Sequence, residues 1–184
     1  SSIKAQESRG YEQWAKIHNL KQAAKTMNFL TEHKIEQYAD LVSRIEEISA
    51  ENEKTADALK SVEKRLADMA VLMKHVTTYQ KTKPVYEAYR RAKDKDAYRA
   101  KQESSLILHE AAVKTLKAAG VTKLPNLAAM QEEYGKLQAQ KEALYADYGK
   151  LKKQVKEYDV IKQNIDNILR QGKEPERKKG KERE

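Results

Sequence analysis

YADLVSRIEEISAENEKTADALKSVEKRLADMAVLMKHV, residues 38–76, decides the fold. Steps of three and four residues in alternation land on Tyr38, Leu41, Ile45, Ile48, Asn52, Thr55, Leu59, Val62, Leu66, Met69, Met73 and Val76, and ten of these twelve are Tyr or apolar. The residues between them are mostly Glu, Lys, Asp, Arg and Ser, with no Gly or Pro. A period of 3.5 keeps one stripe of a helix facing a partner helix as both supercoil. At 1.5 Å per residue the stretch is a helix of roughly 58 Å. A helix that long with one greasy stripe needs a partner of similar length.

The chain supplies a second array. From Leu127 the same steps reach Met130, Tyr134, Leu137, Lys141, Leu144, Tyr148, Leu151, Val155, Tyr158, Lys162, Ile165 and Leu169. Two matched arrays in one chain predict an all-α fold built on a long antiparallel coiled-coil hairpin, with arms at 36–80 and 126–171. The intervening residues are too many for a turn, so 81–125 is expected to form a helical cap at the tip. Pairing of the arrays between two chains is the alternative to a monomeric hairpin.

Composition agrees with long solvated helices: 35% of the 184 residues are charged and 39% hydrophobic, with 3 Pro, 6 Gly, one Trp and one Phe. The ten Tyr suit a seam, since each can pack its ring and keep its hydroxyl in water. The absence of Cys excludes disulfides and thiolate chemistry. No run approaches the roughly 18 apolar residues of a membrane span, and no signal-peptide pattern opens the chain, so a cytoplasmic location with no membrane contact is expected. The opening Ser1-Ser2-Ile3, already mid-pattern, reads as the start of a fragment of something longer.

The net charge of +9 is unevenly placed. The first arm, 36–80, has 6 basic and 9 acidic residues, whereas 81–101 has 8 basic and 3 acidic. Positive charge therefore collects in the expected cap, which suits a polyanion or an acidic partner.

In chain order, 7–32 reads as a first helix packed at the base of the hairpin, with Trp14 as its anchor against Leu41, Val42, Ile165 and Leu169. A break is expected at 33–35. Pro84 is expected to end the first arm, because proline lacks the N–H donor and restricts the residue before it. A short helix at 85–92, a polar corner at 93–96 and a third helix from about 97 to 119 should follow, with Leu106, His109, Val113 and Leu116 on one face. Gly120 suits a left-handed helix end and Asn126 an N-cap. Residues 1–172 thus form one elongated domain, and 173–184, which lack any apolar residue, are expected to be a disordered charged tail.

Several blocks carry a resemblance. GYEQWAKIHNLKQAAKT (10–26) with IEQY (35–38), HVTTYQKTKPVYEAYRRA (75–92), and KLPN (123–126) with EYGKL (133–137) resemble the helical C-terminal region of relaxases. These are the mobilisation nucleases of conjugative and mobilisable elements, and the likeness is to Gram-positive members. The family nicks DNA with a tyrosine beside a histidine-held metal in an N-terminal domain. Here His18, His33, His75 and His109 are isolated, with no His-x-His or His-x-x-x-His, so no catalytic or metal-binding residue is carried over. The resemblance implies a non-catalytic accessory region that binds DNA or relaxosome partners during conjugative transfer.

The candidate contact surface is Lys81, Lys83, Arg90, Arg91, Lys93, Lys95, Arg99 and Lys101, interleaved with Tyr79, Tyr86, Tyr89 and Tyr98. Lys and Arg suit phosphate contacts, and Tyr86 and Tyr89 are placed to stack on unpaired bases of single-stranded DNA. The competing reading has the tyrosines packing the cap while the cations solvate it, and a structural spacer, dimerisation or protein-docking module is the rival function. Polar seam residues Asn52, Thr55, Lys141 and Lys162 either set register or form tolerated wet layers. Adjacent carboxylates such as Glu46-Glu47 and Glu132-Glu133 diverge around a helix, and no phosphate loop or Ser/His/Asp set is present. No enzymatic activity, cofactor or metal is expected.

Overall fold

The computed structural model describes the backbone of residues 2–181 and the side chains of 9–171. Among the described residues the chain is helical with no strand: α1 (Ser2–Glu32), α2 (Tyr38–Arg91), α3 (Lys95–Lys101), α4 (Glu103–Ala118) and α5 (Leu127–Lys181). Two compact units divide these elements. Unit 1 comprises residues 1–54 and 147–184, and unit 2 residues 55–146.

Unit 1 is built from α1 and parts of α2 and α5. Its core is Phe29, Ile35, Leu41, Tyr158 and Ile161, flanked by Leu30, Ile45, Ile48 and Ile165. Phe29 meets Tyr158 edge to face, with centroids 4.9 Å apart, the orientation that ring quadrupoles favour. Asn164 Nδ2 donates to Thr26 Oγ1 (3.2 Å) and Tyr38 Oη to Asp166 Oδ1 (2.8 Å). The Tyr38 hydroxyl, with Lys162 beside it, holds Asp166 below the usual carboxylate range. Trp14 does not anchor this core. It is 60% exposed and stacks on His18, one turn along its own helix, at 5.1 Å. Leu169, its expected partner, is exposed as well. Phe29 is the aromatic that faces α2 and α5, and Tyr11, Trp14, Ile17 and Leu20 are exposed along α1.

The break after α1 falls where expected. Lys34 takes a left-handed φ of 55°, Lys34 N–H bonds Thr31 O (3.2 Å), and Ile35 N–H bonds Leu30 O (2.9 Å). This is the Schellman pattern, and Ile35 packs with Leu30 as that motif's apolar contact.

Unit 2 contains two apolar clusters. Val62, Leu66 and Leu137 are buried with Met69, Tyr134 and Leu144 against them. Val76, Leu116 and Met130 form the other, with Leu72, Met73, Tyr79, Val121, Leu124 and Leu127 packed on it. Arg65 pairs with Glu133 (3.4 Å) and Glu63 with Lys141 (4.0 Å), so Lys141 reaches out of the apolar stripe to a carboxylate. Eleven of the twelve positions in the α2 stripe are buried or half-buried, Tyr38 being the exception.

Three local expectations need correction. Pro84 does not end the helix: it lies inside α2, which continues to Arg91, so the expected separate helix at 85–92 is α2's last two turns. Proline removes one bond to the carbonyl of Gln80, and both residues are exposed. Contacts on both flanks hold the helix through the defect: Thr82 Oγ1 bonds His109 Nδ1 (2.9 Å), and Tyr98 Oη donates to Val85 O (3.2 Å). The single helix expected at 97–119 is two helices, broken at Gln102 (φ −119°, ψ 26°). Arg99 and Glu110 stand about 16 Å apart along a straight helix, eleven residues at 1.5 Å each. The break brings them to 3.0 and 3.1 Å. Finally, α5 is helical as far as Lys181, while the side chains of the expected tail, 173–184, lie outside the described residues.

The two remaining signals hold. Gly120 has φ 76°, with Gly120 N–H on Lys117 O and Val121 N–H on Leu116 O, a second Schellman end. Asn126 Oδ1 accepts from Ala129 N–H (3.2 Å) at the start of α5.

Candidate nucleic-acid interface

The basic segment lies in unit 2, on the last turns of α2, the turn at 92–94 and α3. Asp94 caps α3 by accepting from Ala97 N–H at 3.1 Å, which fixes the polar corner. Lys81, Lys83, Arg90, Arg91, Lys93, Lys95 and Lys101 are exposed. None of these seven has a carboxylate partner among the described residues. Arg99 differs. It makes a bidentate pair with Glu110 and sits 5.7 Å from the Tyr89 ring centroid. The hydrogen bonds it donates to Glu110, helped by Tyr89, raise the Arg99 guanidinium further above its ordinary value, and Arg99 in turn holds Glu110 low. Its charge is therefore committed internally.

The tyrosines pack and line at once. Tyr86 stacks on His109 (4.5 Å, 18°), and Tyr79 stacks on the same imidazole (5.0 Å, 30°). Tyr89 lies 6.3 Å from Tyr98, whose hydroxyl is tied to Val85 O. All four are half-buried.

His109 is the residue that sequence reasoning undervalued. It is 3% exposed, beneath two tyrosines, with Thr82 as its polar partner. Burial holds its imidazole below the ordinary value, a shift that Glu110 partly opposes. Its position on the apolar face with Leu106, Val113 and Leu116 was visible. The twenty-seven-residue link to Thr82 was not.

Lys83 and Arg90 of α2 meet Lys114 and Lys117 of α4 around an open cleft of about 730 Å³, which Tyr79, Tyr86, Glu87 and His109 also line. Lys81, Arg91, Lys93, Lys95, Arg99 and Lys101 are not part of that cleft. Lys114 and Lys117 had no signal, being isolated cations on a mixed helix. No group of three or more metal-ligating side chains occurs among the described residues. No described helix is long and apolar enough to cross a membrane.

Comparison with known proteins adds no neighbour: no family model, curated protein or solved structure matches the chain.

Proposed function

We propose that this chain is a non-catalytic DNA-contacting region of the kind that relaxases carry C-terminal to their nuclease domain, acting in the cytoplasm during transfer of a mobile element. In this reading the stripes of α2 and α5 are the arms of an antiparallel coiled-coil hairpin, and the segment around α3 and α4 is its basic cap. The opposed numbering inside each unit supports it: in unit 2 Glu63 pairs with Lys141 while Val76 shares a cluster with Met130, and in unit 1 Tyr38 bonds Asp166 while Leu41 shares a cluster with Ile161. One observation carries the DNA contact: seven exposed cations without carboxylate partners among the described residues stand within twenty-one residues. Such cations bind phosphate by releasing counterions.

The test is affinity for single- and double-stranded DNA as a function of salt. Affinity should fall linearly on a log–log plot, and reversing Arg90, Arg91, Lys93 and Lys95 to Glu should reduce the slope by about one per lost contact. Unchanged affinity at low salt removes the reading.

The exposed apolar residues of α1 favour a second reading, a docking or dimerisation module with no nucleic-acid contact. Tyr11, Trp14, Ile17 and Leu20 are each more than half exposed. Light scattering that shows a dimer, dissociated by Trp14→Glu, favours this alternative.

A further inference from the structure

We propose that the cleft between α4 and the last turns of α2 binds a nucleotide, with the base against its tyrosines and the phosphate among its lysines and arginine. The biological ligand, an unpaired nucleotide of DNA, rests on the function proposed above, but the site itself stands on its own geometry.

The cleft, at about 730 Å³, has the capacity of an ordinary small-molecule site. Lys83 and Arg90 approach it from α2, Lys114 and Lys117 from α4. Two carboxylates, Glu87 and Glu110, share the lining. Glu110 is already neutralised by two bonds from Arg99, which lies outside the lining. Four cations therefore face one uncompensated carboxylate, and that excess calls for an anion. Phosphate suits it, since it accepts from several ammonium and guanidinium groups at once.

The aromatic wall narrows the class. Tyr79 and Tyr86 are half-buried and leave ring surface in the cleft, where a flat base gains stacking energy irrespective of its sequence identity. Beneath them His109 is 97% buried. Thr82 Oγ1 donates to Thr78 O at 2.7 Å, so its bond with His109 assigns the proton to Nδ1. Nε2 is then the remaining acceptor of a cleft-lining ring, a partner for a base N–H. Inorganic phosphate alone would leave the wall unused, and a nucleoside alone would leave the cations unused.

The experiment titrates the full chain with deoxyadenosine monophosphate, and separately with deoxyadenosine and with inorganic phosphate, by calorimetry and by the His109 imidazole resonances. The nucleotide should bind at least about tenfold more tightly than either fragment and shift the His109 signals. Lys114→Glu with Lys117→Glu should weaken it by about tenfold or more, with circular dichroism confirming helix content. Lys83→Glu, on the opposite wall, should do the same. Lys60→Glu with Lys64→Glu, exposed on α2 and outside both the cleft and the basic segment, should leave it unchanged. A nucleotide bound no better than phosphate, or binding indifferent to the cleft variants, overturns the site. Should DNA bind with the expected salt slope while the nucleotide does not, the site falls and the DNA contact stands. The converse keeps the site and removes the DNA contact.

Discussion

Lys34 sits in a left-handed conformation that L side chains adopt at a cost of about 1 kcal/mol or more. Ile35 packing on Leu30 compensates for it. Lys34→Gly should raise unfolding stability by about 0.5–1 kcal/mol in urea titration, the relief of strain exceeding the added freedom of the unfolded chain. His109 makes a pH-dependent contribution of opposite character. Its folded value is depressed by burial, so the unfolded chain takes up the proton first as pH falls. Stability present above about pH 6.5 should therefore decline through the window between that value and the lower folded one, and be level below it. Glu110 opposes this shift without reversing its sign. Urea titrations at pH 7.5 and 5.5 check the slope, and His109→Gln should flatten it.

Among the elements, α2 is the instructive one. It carries Pro84 on its exposed side and still runs from Tyr38 to Arg91. Tertiary bonds at Thr82 and Val85 bracket the defect, so they outweigh a local preference worth roughly 3 kcal/mol. Pro84→Ala should consequently raise stability by about 1–3 kcal/mol with no change in helix content, as read by chemical unfolding followed with circular dichroism. A gain in helicity would mean that the helix is interrupted there in solution. The break at Gln102 shows the same priority in reverse. No helix breaker stands there, yet the chain leaves helical geometry, which permits the Arg99–Glu110 pair while Leu106, Ala112 and Leu116 stay buried on α4.

For the whole chain, the polar residues of the stripes bear on association. Lys141 and Lys162 reach carboxylates at Glu63 and Asp166, but Asn52 Oδ1 is buried with no hydrogen-bond partner. Leaving such a group unsatisfied costs about 1–3 kcal/mol. Asn52→Leu should raise the melting temperature, corresponding to about 1 kcal/mol, with the association state by light scattering unchanged. A change of oligomeric state in that variant would give Asn52 the role of specifying partner and register instead.

The sequence by itself determined the helical class, both apolar stripes, the ends at Lys34 and Gly120, and the cap at Asn126. Each is a local matter: a repeat of 3.5 residues, a turn that needs positive φ, a side chain three residues from the N–H it accepts. Tertiary structure alone decided that Phe29 and not Trp14 enters the core, that α2 continues through Pro84, and that Gln102 separates two helices. It also decided which cations meet, bringing Lys83 and Arg90 to Lys114 and Lys117 around His109. Those outcomes depend on contacts between residues far apart in the chain, where burial and paired charge outweigh the propensity of any single position.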